Sequence, residues 1–184
     1  MSLIEQTYIK LKNKPSDINE HLPTLYRYAK ECETIAEFGV RDVVSSYSFA
    51  LAKPKKLICL DIVNNHHITN FLELCKQENI NVEFYCANTL TFELQDDVDL
   101  LFIDTLHSFN QLSAELERHS AKVKKYIILH DTISFGHTNE DDRRSGDNCG
   151  LVPALKNFLK QNKNWKEEAT YPNNNGLTIL KKIN

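Results

Sequence analysis

The sequence predicts an α/β fold: a three-layer sandwich built on a mostly parallel sheet of seven strands that ends in an antiparallel hairpin. Three observations carry that expectation. Short apolar runs alternate with longer stretches of helical period, which is the pattern of successive βαβ units. Most of these runs end in a residue able to hold a ligand, and in open parallel sheets ligands bind outside the carboxyl ends of the strands. The chain of 184 residues suits one hydrophobic core and is short for two. We therefore expect a single domain over 1–184, with a helical segment over 1–33 and a lid-like loop over 132–150.

A first helix opens near Ser16 and Asp17, where Asp17 followed by Glu20 has the form of a capping box, and Leu22, Leu25, Tyr26 and Ala29 repeat at helical spacing. Residues 34–38 read as a buried strand closed by the turn residue Gly39. The alternation continues with a helix around 44–52, a strand over 56–61, a helix over about 65–79 and a strand over 82–86. The next strand is 99–104, then a helix over 108–122 and a strand over 126–130. From Ser134 to Gly150 the composition turns polar, with His137, Glu140, Asp141, Asp142, Arg143 and Arg144. A loop this long in a compact domain is usually functional or disordered. Its place after a strand's carboxyl end suits a lid, and a solvated insertion is the plain alternative. Residues 151–161 then read as a helix, and 165–170 and 177–181 as strands joined by the turn-rich 172–176, which predicts the hairpin.

Composition excludes several classes. Hydrophobic residues at 41% and charged residues at 26% are those of a globular chain, and exclude a disordered or fibrous one. The formal net charge is −3, and the lysine pairs at 55–56, 124–125 and 181–182 are scattered, so nucleic acid is not an expected partner. The N-terminal stretch carries acidic and polar residues where a signal peptide would be uninterrupted. No apolar run approaches a membrane span. Cys32, Cys59, Cys75, Cys86 and Cys149 show no CxxC spacing and read as reduced structural thiols in a cytoplasm. The expected partner is a small-molecule acceptor; membrane contact is not expected, and the sequence leaves a homo-oligomer open.

Three constellations could carry chemistry. Glu37, Gly39, Arg41, Asp42 and Ser45 surround the first strand-to-helix turn, where glycine allows close backbone approach and a helix N-terminus offers unpaired N–H groups. A simple tight turn explains the same residues, and the second and third glycines of the dinucleotide fingerprint are missing. Asp61, at the end of the second strand, can accept hydrogen bonds from both hydroxyls of a ribose or cap the following helix. With Gly39 it makes a candidate nucleoside site, and Cys86 to Thr89, with Asn88 among them, would flank the base. Third, Asp104 and His107 follow one strand while His130 and Asp131 end the next. Two carboxylates at neighbouring strand ends repel unless a cation or proton lies between them. Oxygen donors suit Mg²⁺, and histidine suits a transition metal. A neutral His107 could take a proton from a substrate hydroxyl.

Glu37 to Asp42, Asp61, Leu101 to Ser108 and Ile128 to Thr132 resemble successive motifs of class I S-adenosylmethionine-dependent methyltransferases. The likeness is to the Rossmann-like branch with cephalosporin-hydroxylase-like proteins and metal-dependent sugar O-methyltransferases, and it runs from about residue 17 to 182. It implies that Glu37, Gly39, Arg41, Ser45, Asp61, Asn88 and Asp104 line the S-adenosylmethionine site, that Asp104, His130 and Asp131 hold Mg²⁺ or another divalent cation, and that His107 is the general base. The implied acceptor is a hydroxyl of a small molecule or saccharide, as in glycan or secondary-metabolite modification. Two positions depart from the pattern: His130 stands in an acidic slot, and Val43 stands where relatives commonly have glycine. The residues also leave open a metal-dependent phosphohydrolase, a non-catalytic methyltransferase-like binding module and a nicotinamide-dependent oxidoreductase.

Overall fold

The computed structural model describes residues 1–183. The apolar runs form seven strands, β1 (Thr34–Phe38), β2 (Lys56–Asp61), β3 (Val82–Cys86), β4 (Val98–Ile103), β5 (Val123–His130), β6 (Trp165–Tyr171) and β7 (Leu177–Lys182). Six helices join them, α1 (Leu3–Lys12), α2 (Leu22–Ala29), α3 (Ser46–Leu51), α4 (His66–Gln77), α5 (Phe109–His119) and α6 (Leu151–Gln161). The sheet order is β3-β2-β1-β4-β5-β7-β6. The first five strands are parallel, β7 runs antiparallel to β5, and β6 completes the hairpin at the edge.

The period of two along each strand explains the layers. Ile35, Leu57, Leu100 and Ile128 point to one face, under α1 to α4. Their neighbours Ala36, Ile58, Leu101 and Ile127 point to the other, under α5 and α6. Both faces are covered, so the central strands are apolar throughout, as buried parallel strands must be. Among the described residues no helix is long and apolar enough to cross a membrane.

The expected capping box at Asp17 and Glu20 is not formed. The Ser16 hydroxyl accepts from the Asn19 amide at 3.0 Å and the Asn19 side chain accepts from the Ser16 amide at 2.9 Å, which opens a short 3₁₀ turn before α2. Asp17 is drawn away to the Arg41 guanidinium at 2.6 Å. The helix expected over 44–52 is shorter, because Arg41 and Val43 take left-handed backbone angles of 44° and 59° and delay its start to Ser46. The helix expected over 108–122 ends at His119 and finishes as a 3₁₀ turn over Ser120–Lys122.

The chain enters the sheet at its centre with β1, moves outward to β3 and returns past β1 to β4. The connections after β1 and β4 therefore leave in opposite directions. Such a reversal opens a crevice at the carboxyl edge, where doubly wound sheets bind their ligands.

Candidate active site

The turn after β1 is held from beneath. Gly39 has φ +85°, and a Cβ placed there would lie 1.9 Å from the Asp104 carbonyl oxygen. The close approach that demands glycine here is thus made by the end of β4. Gly39 donates to the Leu60 carbonyl and Asp104 donates back to the Phe38 carbonyl, at 2.9 and 2.8 Å, which ties three strand ends together. Val43 is only 3% exposed and takes a left-handed φ of 59°, a conformation that glycine adopts freely. A β-branched residue in that region is strained by about 1–2 kcal/mol, and such strain clusters at functional sites.

Glu37 is fully buried at the end of β1, accepting from the Ser45 hydroxyl at 2.5 Å and from the Cys59 thiol at 3.4 Å. Burial pushes its carboxyl up to about 7 against the lowering effect of those hydrogen bonds. It anchors Ser45, which faces the cleft. Asp61 accepts from the amides of Val40 and Arg41, both at 2.8 Å, and from Val63 at 2.9 Å. Three of the roughly four lone-pair positions of its carboxylate are therefore taken by the turn itself. The Asn88 side chain accepts from the Leu90 amide at 2.8 Å and caps its own exposed turn.

The ends of β4 and β5 form the opposite arrangement. His107 Nε2 lies 3.1 Å from Asp104 Oδ1 and 3.2 Å from Asp131 Oδ2. His130 Nδ1 reaches the same two oxygens at 3.3 and 3.2 Å, and its Nε2 faces the Asn174 carbonyl at 3.2 Å. Burial works against charge on both rings, but the hydrogen bonds and charges of Asp104 and Asp131 prevail, raising His107 and pushing His130 up to about 10. Asp104, which burial alone would raise, is held well below the usual carboxylate range by hydrogen bonds from the two histidines.

Asp131 also has a left-handed φ of 57°, and its buried Oδ1 has no hydrogen-bond partner. A buried carboxylate oxygen left without a partner is costly. The donor atoms of Asp104, His107 and Asp131 lie within 4.8 Å of one another. Orphaned oxygen, clustered donors and paired carboxylates together suit a divalent cation. The expected set was Asp104, His130 and Asp131; the structure brings these together and adds His107 to the same oxygens. The second ring nitrogen of each histidine meets an acceptor, Glu140 for His107 and Asn174 for His130.

A cleft of about 330 Å³ joins the two halves, within the range of about 300–1,000 Å³ usual for small-molecule sites. Gly39, Arg41, Ser45, Asp104, His107 and Glu140 are on its walls, whereas Asp61 and Asn88 are not. Two contributors escaped sequence reasoning. Glu140 belongs to the lid-like loop and Asn174 to the hairpin turn, 33 and 44 residues from their histidine partners. No spacing rule connects such positions. The acidic run 140–142 was visible, but nothing distinguished its first member.

A doubly wound sheet of seven strands, closed by an inserted antiparallel strand and carrying its cleft at the β1–β4 reversal, is the fold of S-adenosylmethionine-dependent methyltransferases. Solved structures superpose on this chain accordingly. A Staphylococcus aureus protein assigned to the caffeoyl-CoA O-methyltransferases matches with a TM-score of 0.71 at 17% identity, over 99% of this chain and 93% of that one. The N-methyltransferase NodS of Bradyrhizobium japonicum WM9, in complex with S-adenosyl-L-homocysteine, matches with a TM-score of 0.66 at 12% identity, over 97% and 98%. The 1,6-didemethyltoxoflavin-N1-methyltransferase of Burkholderia thailandensis, with S-adenosylhomocysteine bound, gives 0.68 at 12% identity, over 92% and 79%. No protein-family model and no curated protein matches the sequence. At these identities the likeness establishes the fold.

Proposed function

We propose that the protein is an S-adenosylmethionine-dependent O-methyltransferase acting on the hydroxyl of a small molecule or saccharide. The observation that carries this reading is the meeting of Asp131 with Asp104 and His107, two wall residues of a cleft that begins on the Gly39 turn. Ser45, set by Glu37, and the Gly39–Arg41 backbone, set by Asp61, would hold the methionine end of the cofactor. The fourth acceptor position of Asp61 is left for a ribose hydroxyl, with Asn88 beyond it towards the base. Asp104 and Asp131, with His130 steadied by Asn174, would hold a divalent cation. Five free thiols fit a reducing, cytoplasmic setting.

When bound, S-adenosylmethionine supplies an electrophilic methyl group and a divalent cation supplies a Lewis acid beside the acceptor oxygen. His107 Nε2 then removes the hydroxyl proton. For that the nitrogen must be unprotonated, and Asp104 and Asp131 oppose this while their charges face it. Were Asp104 and Asp131 to hold a cation, their charges would no longer oppose it. The cleft walls contribute by fixing the approach of donor and acceptor, which is a large share of any bimolecular transfer.

Calorimetry with S-adenosylhomocysteine, followed by turnover on a panel of hydroxyl acceptors with and without Mg²⁺ or Mn²⁺, tests the proposal. Saturable binding and methylation that disappears in His107→Ala are expected. Absence of cofactor binding combined with phosphate release from a generic ester would overturn it.

A further inference from the structure

The lid-like loop touches His107 through Phe135 and Glu140. The Phe135 ring stacks on the imidazole with centroids 4.9 Å apart and planes 6° from parallel. The Glu140 amide donates to the His107 carbonyl at 2.8 Å, and Glu140 Oε2 accepts from the His107 amide at 3.2 Å. The same oxygen lies 2.9 Å from His107 Nδ1. Asn139 pins this part of the loop to the body of the domain, its Oδ1 accepting from the Phe109 amide at 3.0 Å and from the Gly150 amide at 2.7 Å.

Glu140 holds the ring from Nδ1 while Asp104 and Asp131 face Nε2 at 3.1 and 3.2 Å, so the imidazole is fixed in plane from both ends. A triad aspartate likewise orients its histidine. Resting on the methyltransferase reading above, we infer that Glu140 is a positioning residue that fixes the orientation of His107 and makes it depend on closure of the 132–150 loop. Three contacts from one residue, two of them involving the backbone, lock the loop and the base as one unit. An acceptor that displaces the loop would release the base, and one that fits beneath it would meet His107 already aimed.

Glu140→Ala is the test, with Glu140→Gln as the conservative variant that keeps an acceptor oxygen. Trypsin cleavage after the exposed Arg143 and Arg144 reads loop closure without reference to activity. It should accelerate severalfold in Glu140→Ala and in His107→Ala, and no further in the double variant, because coupled residues are not additive. The proton on His107 Nδ1, followed by ¹H–¹⁵N spectroscopy, should be sheltered in the wild type and lost to rapid exchange in Glu140→Ala. With an acceptor, kcat should fall about tenfold to a hundredfold, less than the ~10⁴ of a fully buried triad orienter, with KM for S-adenosylmethionine unchanged and partial recovery in Glu140→Gln or on adding formate. Unchanged trypsin cleavage and an unchanged Nδ1 proton would overturn the inference. If the wild type binds no S-adenosylhomocysteine, the methyltransferase reading fails instead, and these two measurements still decide whether Glu140 holds His107.

Discussion

The two halves of the carboxyl edge are built on opposite principles. Around Gly39 the charged groups are satisfied from within, Asp61 by three backbone amides, Glu37 by Ser45 and Cys59 and Arg41 by Asp17, and Asn88 by its own turn, while the buried hydroxyls of Ser46 and Ser48 in α3 have no partner. At the ends of β4 and β5, two carboxylates and two imidazoles crowd onto one another, and Asp131 keeps a buried oxygen without a partner. The first half is a finished scaffold that a cofactor can lie against. The second leaves an acceptor oxygen that, on the proposed reading, a cation would engage. Substitutions in the first half should therefore register as stability, and those in the second as activity.

The largest expected effect falls in the second half. His107→Ala should reduce turnover by about 10²–10⁴-fold, the usual worth of a general base, while S-adenosylhomocysteine affinity measured by calorimetry stays within a few-fold. A comparable loss of cofactor affinity would erase the contrast between the halves.

Gly39→Ala comes next. A left-handed backbone and a Cβ pressed into the Asp104 carbonyl should together cost on the order of 2–5 kcal/mol in urea unfolding. Since the clash falls on Asp104, this variant is the one expected to damage both halves at once.

Glu37→Gln sharpens the comparison through pH. The unfolded carboxyl ionises near 4.5 and the folded one near 7, so between those values the folded state holds the extra proton. The wild type should lose stability as pH rises across this window, by an upper limit of about 3 kcal/mol. The glutamine variant, which can still accept from Ser45, should show a flatter profile in denaturant titrations from pH 4 to pH 8.

The smallest effect is expected for Val43→Gly. Relief of about 1–2 kcal/mol of backbone strain offsets loss of a buried side chain worth about 1.5–3 kcal/mol, leaving a net change near 1 kcal/mol in unfolding free energy. A penalty above about 3 kcal/mol would mean that the turn is not strained at Val43.

What could be read from the sequence follows the range of the forces involved. β2 matches its expected limits because a buried strand is bounded by its own apolar run, and α6 because its apolar residues repeat at helical spacing; β3, a half-exposed edge strand, matches as well. Asp104, His107 and Asp131 were legible because a strand's end locates them without knowledge of any partner. The cap at Ser16 was misjudged because Asp17 and Ser16 are equally good caps in isolation; the Arg41 side chain, 24 residues away, decides between them. Glu140 and Asn174 could not be read at all, since their partners are set by a loop and a hairpin whose paths local periodicity does not encode.

The place of β7 bears on how the molecule comes into being. Synthesis proceeds from the N-terminus, and domains complete their folding as the chain emerges. The strand that covers β5 is made after all five parallel strands, and the turn before it supplies the Asn174 carbonyl to His130. Asn174 also grips the Ser16–His21 segment, donating to the Ser16 carbonyl at 2.8 Å and accepting from the Glu20 amide at 3.0 Å. A nascent chain stopped before residue 173 thus has an open β5 edge, an unanchored His130 and a loose N-terminal segment. The groups that anchor His130 and the N-terminal segment are synthesised after the Gly39 turn and strands β1 to β3.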